Sequence, residues 1–183
     1  NIRPVYPLAV RDVSFFTDSR PQEFPYMVRD MVREGGRHGI PFRWPQPDPI
    51  IQNMQTKEVA AEQPLIDRLM LLGAAAQQAK GADAFPFFLE ISQMLFDGSV
   101  DNWHEDDHLA TAASRAGVDL SDLEKAVAVD HDKLLTLITD NEAEQQKHHW
   151  GVPLMVLNGE PFFGQDRLDS LRWRLDMLDL KRA

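Results

Sequence analysis

An Asn-Gly pair at positions 158 and 159 stands between two short runs of strand formers, and it restricts the C-terminal end of the chain to one kind of structure. Both residues accept the positive φ that a two-residue type I′ turn requires, so Val152 to Leu157 and Glu160 to Phe163 are predicted to pair as a tight hairpin. A helix is expected next. Asp166 stands where an N-cap belongs and Asp169 falls three residues later in the first turn. Leu168, Leu171, Leu175 and Leu178 recur at helical spacing, which predicts a face turned to a core.

Upstream, Ile2 to Tyr6 reads as a strand and Arg11 to Pro25 as irregular, with turns at Asp18-Ser-Arg-Pro21 and Phe24-Pro25. Tyr26 to Arg37 is predicted helical, its end weakened by Gly35-Gly36. Gly39 to Pro49 cannot be regular helix, because Pro41, Pro45, Pro47 and Pro49 remove backbone donors and push their neighbours to extended geometry. From about Ala60 to Gln146 the pattern is helical. Leu65, Leu69 and Leu72 form one apolar face, Phe87, Phe88, Ile91, Leu95 and Phe96 a second, and Leu109, Ala112, Ala113 and Ala116 a third. Asp119 or Ser121 can cap the following helix, and Asp130-His131 opens a last one with Leu134, Leu135, Leu137 and Ile138.

A length of 183 residues with 43% hydrophobic content supports one substantial core with a helical insertion. The net charge of -10 argues against a protein whose main task is to bind nucleic-acid phosphate. The absence of cysteine removes disulfides, thiolate nucleophiles and Cys-based zinc sites from these residues. No membrane-length apolar run and no signal-like N-terminus is visible, so a cytoplasmic protein is expected, with neither nucleic acid nor membrane as partner.

Several patterns could carry chemistry. His104-Glu-Asp-Asp-His108 matches the H-E-x-x-H zinc signature in form, but no third ligand follows at a defined spacing, and Asp106 or Asp107 reads better as a helix cap. No metal is therefore assigned. His148-His149 reads as a helix C-terminal pair, with weak metal or proton-transfer chemistry as its alternative. Ser14, Ser19 and Ser92 have no histidine partner to make a triad. Phe42, Trp44 and Trp103 could line an aromatic substrate pocket, or close the core instead. Around the hairpin, the backbone of Val152 just before Pro153 could pair with a peptide-like ligand. The amides of Gln165 and Asp166 could receive a carboxylate, and the Asp166 side chain an ammonium group. On residue types alone, Gly151-Val-Pro153 could equally shape a loop and Asp166 equally cap a helix.

Gly151-Val-Pro153 followed by Gly164-Gln-Asp-Arg-Leu168 resembles the 2-hydroxychromene-2-carboxylate isomerase and kappa-class glutathione transferase family, whose members have a DsbA-like thioredoxin fold. Looser similarity runs through Tyr26-Met-Val-Arg-Asp30, Gly39-Ile-Pro-Phe-Arg-Trp-Pro45 and Trp103. The resemblance implies an α/β fold in which 1–55 and 147–183 form the thioredoxin-like domain and 56–146 an all-helical insertion. It also implies that Ile2 to Tyr6 is the second strand, with the first strand and helix missing upstream. That segment would carry a reactive Ser, so no catalytic residue is expected in this chain. The implied cofactor is glutathione, its cysteinyl backbone on Val152 beside a cis Pro153 and its γ-glutamyl end on Gln165 and Asp166. The implied activity is glutathione-dependent isomerisation or transfer on an aromatic electrophile, in a homodimer. The stretch Asp18 to Pro25 lacks the Asn-x-Pro-Pro and Lys of family members, and Arg20 is either a substitute cation or a solvated loop residue. Alternatives are a thiol-disulfide oxidoreductase with its Cys pair in the missing segment, a non-catalytic binding protein, and more distantly a zinc hydrolase.

Overall fold

Seven α-helices and one two-stranded antiparallel sheet make up the regular structure of the described residues, with two short 3-10 turns between them. The structure is a computed structural model and describes residues 1–12, 14, 20–53, 55, 56 and 58–180. Spatially the chain divides into two units, Asn1–Ile138 and Thr139–Ala183. The division into 1–55 plus 147–183 and 56–146 is one of fold topology, not of spatial units.

In the first unit, Ile2 to Tyr6 forms no ladder with any described residue. This corrects the expected strand: a strand exists only with a ladder partner, and Pro4 and Pro7 have no N–H to donate to one. Ile2 and Tyr6 instead lie against the helical core. A four-residue helix, α1 (Leu8–Arg11), follows. Helix α2 (Glu23–His38) begins earlier than expected. Phe24 and Pro25 lie in its first turn rather than marking a turn of their own, since a proline there forfeits no intrahelical bond. The helix also continues through Gly35 and Gly36. It ends at left-handed Gly39, where the Ile40 amide returns to the Gly35 carbonyl at 2.8 Å. Glu23 in its first turn, and Arg37 and His38 in its last, match the helix dipole. Asp18 and Ser19 lie outside the described residues.

The proline-rich stretch is irregular, as its composition demands. Asp48 organises it, accepting from Trp44 Nε1 at 2.9 Å, the Ile50 amide at 2.9 Å and Gln52 Nε2 at 3.2 Å. A few residues on, buried Gln63 ties 51–60 to the next helix. Its Nε2 donates to the carbonyls of Ile51 and Ala60, both at 2.9 Å, and its Oε1 accepts the Ile51 amide at 2.8 Å. A polar side chain satisfied on both ends can be buried without a desolvation penalty left over.

The helical block holds the core. Helix α3 (Pro64–Lys80) starts with proline at its first position, and its buried face includes Gly73, Ala74, Ala75 and Ala76. Small residues let neighbours approach closely: a Cβ on Gly73 would come within 3.0 Å of the Phe88 ring. Helix α4 (Phe85–Phe96) contributes Phe87, Ile91, Met94 and Leu95, and α5 (His108–Arg115) Leu109, Ala112 and Ala113. Helix α6 (Leu120–Gln146) breaks its helical geometry at Asp130, at the predicted opening of a new helix. Leu134 and Ile138 are buried. At its start, Asp119 Oδ1 accepts the Ser121 amide at 2.8 Å, the expected cap. Hydrogen bonds from Ser121, first from its hydroxyl and then from its backbone amide, lower the Asp119 carboxyl below the ordinary 3.8, because accepting them favours the charged form.

The second unit contains the end of α6, strands β1 (Leu154–Leu157) and β2 (Glu160–Phe163), and helix α7 (Leu168–Met177). The hairpin register pairs Leu154 with Phe163 and Leu157 with Glu160. Asn158 at φ 51° and Gly159 at φ 85° make the predicted I′ turn. No residue of α7 is buried, and Leu168 is 55% exposed. The expected core face of that helix is thus corrected: leucine spacing defines a stripe, but only tertiary contact decides whether it is covered. Arg174 Nε to Glu160 Oε2, 2.7 Å, ties α7 to β2.

Candidate ligand-binding site

The segment joining α6 to the hairpin is held at the amide and carbonyl of Gly151 and left open at Val152. The Gly151 amide donates to His149 Nδ1 at 2.9 Å. Its carbonyl accepts from Gln145 Nε2 at 2.7 Å, and the same amide group reaches the Trp150 carbonyl at 3.3 Å. The Phe163 ring lies so close over its Cα that no Cβ would fit. Glycine is required here by close approach. Phe163 is itself fixed by His149, whose ring stacks on it at 3.8 Å between centroids with a 19° interplanar angle.

Val152 follows directly, its peptide bond to Pro153 cis, the geometry that the resemblance implies. The residue is 50% exposed. Among the described residues neither its N–H nor its C=O makes a hydrogen bond. The Pro153 carbonyl accepts the Gly164 amide at 2.9 Å, which brings the end of β2 beside this point. There a 3-10 turn, Gln165–Arg167, leads into α7, and the amides of Gln165 and Asp166 are also unbonded. Backbone donors at a helix start attract a carboxylate. One short segment therefore offers a donor and acceptor pair at Val152 and two donors at 165 and 166.

Asp166 does not cap the helix. Gly164 is the N-cap of the 3-10 turn and Arg167 that of α7, neither with a side-chain bond. The Asp166 carboxylate folds back toward the Gly164 Cα and pairs with Arg167 Nη1 at 3.0 Å. Both side chains are more than half exposed, so the pair exchanges readily with solvent ions.

The other sequence candidates lie elsewhere. Trp103 is a core residue, 1% exposed, with Nε1 donating to the Pro47 carbonyl at 2.8 Å. Phe42 stacks on Phe96 at 6.0 Å, and the Trp44 ring meets Phe24 edge-on at 6.4 Å. His104 lies in the turn before α5 and His108 at its first position, so they do not occupy successive turns of one helix as H-E-x-x-H requires. Asp107 is the N-cap residue of α5 but makes no side-chain capping bond. Ser14 bonds Asp12 Oδ1 at 2.6 Å, Ser92 lies exposed on α4, and Ser19 is outside the described residues. Arg20 is exposed in the turn before α2. Sequence reasoning missed Gln145, His149 and Phe163 as a group. The signal available was the pair of aromatic residues flanking Gly151 on either side of the hairpin.

A thioredoxin-like α/β chain is what this hairpin and helix define, with an all-helical insertion and a cis-proline loop beside the sheet. Residues 3–176 match the DSBA-like thioredoxin domain, and the chain belongs to that family. A comparison with curated proteins returned no significant match. No helix among the described residues is long and apolar enough to cross a membrane.

Proposed function

We propose that this chain carries the glutathione cradle of a glutathione-dependent isomerase or transferase acting on aromatic electrophiles. The observation that carries the reading is the unbonded N–H and C=O of Val152, set on a segment whose preceding residue is held on all sides. A peptide-like ligand adds to such an edge as a short antiparallel strand, with both groups engaged at once. The Gln165 and Asp166 amides take the γ-glutamyl carboxylate. The Asp166 carboxylate takes the ammonium group, exchanging its exposed partner Arg167 for a partner on the ligand.

Glutathione, when bound, supplies the thiol that adds to an electrophilic substrate. The chain's own residues bind and orient. Val152 fixes the ligand backbone, and Gln145 and His149 keep Val152 from rotating away by holding Gly151. Thiol activation is assigned to no residue of this chain, which has no cysteine.

Calorimetric titration of reduced glutathione into the full chain tests the reading, with Asp166→Ala beside it. One-site binding that weakens by roughly ten- to hundredfold in the variant is expected, the effect of losing one charged hydrogen bond. Saturable binding with equal affinity in the variant would remove Asp166 from the site, and no binding heat would remove the cradle. The family itself favours a second reading, a thiol-disulfide oxidoreductase in which the same Val152 edge receives an extended peptide substrate. A cysteine-containing unfolded peptide that binds in the same titration where glutathione does not would select it.

A further inference from the structure

One of the bonds that hold the loop before β1 depends on the charge of a side chain. The Gly151 amide donates to Nδ1 of His149 at 2.9 Å, so that nitrogen carries no proton and the ring is neutral, with its proton on Nε2. Histidine is the side chain whose charge changes between about pH 5 and 8. Once the ring is protonated both of its nitrogens are donors, and an N–H faces an N–H across the former bond. The other bonds to this loop run from Gln145 Nε2 to the carbonyls of Gly151, at 2.7 Å, and Trp150, at 3.3 Å, and neither involves a titratable group.

The seat of the ring tolerates a charge that the bond does not. His149 stacks on Phe163 at 3.8 Å and on Trp150 at 5.0 Å between centroids, and an aromatic face attracts a cation at such distances. Among the described residues His149 forms no ion pair, and the charged groups on the elements around it have other partners. At the end of α6, Glu144 pairs with Lys147 and lies 3.9 Å from His148; Glu160, the one charge on β2, pairs with Arg174 of α7; and Asp166, in the turn after β2, pairs with Arg167. We infer that His149 is a proton-operated latch on the loop that carries Val152. Neutral, it holds the Trp150–Gly151 peptide by its N–H. Protonated, it stays stacked and releases that N–H, which leaves the peptide with only its 3.3 Å bond at the Trp150 carbonyl and loosens the hold on Val152. The latch rests on this geometry alone, and its effect on ligand affinity rests on the glutathione reading.

Nitrogen-15 NMR of the full chain from about pH 8 to about pH 5 reads both ends of the bond. The ring nitrogens of His149 report its protonation. Hydrogen exchange at the Gly151 amide reports the bond, expressed as a protection factor so that the intrinsic effect of pH on exchange cancels. Protection is expected to fall by roughly two- to tenfold, the weight of one hydrogen bond, with the same midpoint as the His149 ring. In His149→Asn, whose side-chain oxygen accepts without titrating, protection is expected to stay level. In His148→Asn, a control on the neighbouring imidazole, it is expected to fall as in the wild type. A His149 ring that stays neutral across the range, or Gly151 protection that ignores its protonation, would overturn the latch in the wild type alone, with no variant needed. A fall that persists in His149→Asn would overturn it as well. Calorimetry with reduced glutathione at the two ends of the range then reads the consequence: wild-type affinity is expected to fall by a similar factor on acidification, and His149→Asn affinity to hold. Wild-type affinity that stays level while protection falls would overturn the link from the latch to Val152. No binding at either end would overturn the glutathione reading and leave the latch standing.

Discussion

The imidazole of His149 and the amide of Gly151 are joined by a 2.9 Å hydrogen bond in which Nδ1 is the acceptor. The bond identifies the tautomer, since a nitrogen that accepts from a backbone N–H carries no proton itself. It also makes His149 a positioning residue of the candidate site, acting on Val152 through its neighbour.

His149→Phe keeps a ring on Phe163 and removes the acceptor. Hydrogen exchange at the Gly151 amide is expected to accelerate, and glutathione affinity to fall by roughly tenfold, the effect of one lost hydrogen bond. His149→Asn, with a carbonyl oxygen at similar reach, is expected to recover part of the affinity. Full affinity in His149→Phe with a loss in His149→Asn would show that the ring and not the acceptor matters.

Gly151→Ala inserts a methyl group where the Phe163 ring already lies. The ring must leave His149, and a cost of about 1–3 kcal/mol is expected for such overpacking. Thermal unfolding measures the loss, and the ring-current shifts of the His149 protons report the unstacking. An unchanged melting temperature would contradict the close approach.

Gln63→Leu removes three hydrogen bonds at once and leaves the Ile51 amide and carbonyl and the Ala60 carbonyl without that partner. A loss of roughly 1–3 kcal/mol in urea unfolding is expected. Unlike the Gly151 variant, this one is expected to leave the His149 ring-current shifts in place.

Asp119 supplies a pH dependence whose sign follows from its lowered carboxyl. The folded value lies below the unfolded one, so the contribution is fully present above the ordinary 3.8 and is lost as pH falls through the folded value. Helix content measured during acid titration is expected to drop less steeply below that point in Asp119→Asn, whose side chain still accepts from Ser121 but does not titrate. Identical acid profiles would mean that the cap has no weight in α6.

What was legible in the sequence was local. Asn158-Gly159 dictates its turn through backbone sterics, four prolines forbid helix across 41–49, and Asp119 caps its helix through a bond two residues away. What was not legible depended on partners far off in sequence. Ile2 to Tyr6 has strand-forming side chains, but a strand exists only with a ladder beside it. The α7 leucines have helical spacing, but spacing cannot say which face is covered. Asp166 resembles a cap, yet its carboxylate turns to Arg167. Val152, Gln165 and Asp166 are proposed as backbone contacts from motif alone. Gln145, His149 and Phe163, which hold and flank them, come together only when the hairpin closes against the end of α6.

Gln145 grips the loop by the carbonyls of Trp150 and Gly151 and touches neither residue's identity. A mutation that swaps the ring at 150 for another side chain leaves both of those bonds available. The side chain at position 150 can therefore vary over generations without cost to either of those two bonds.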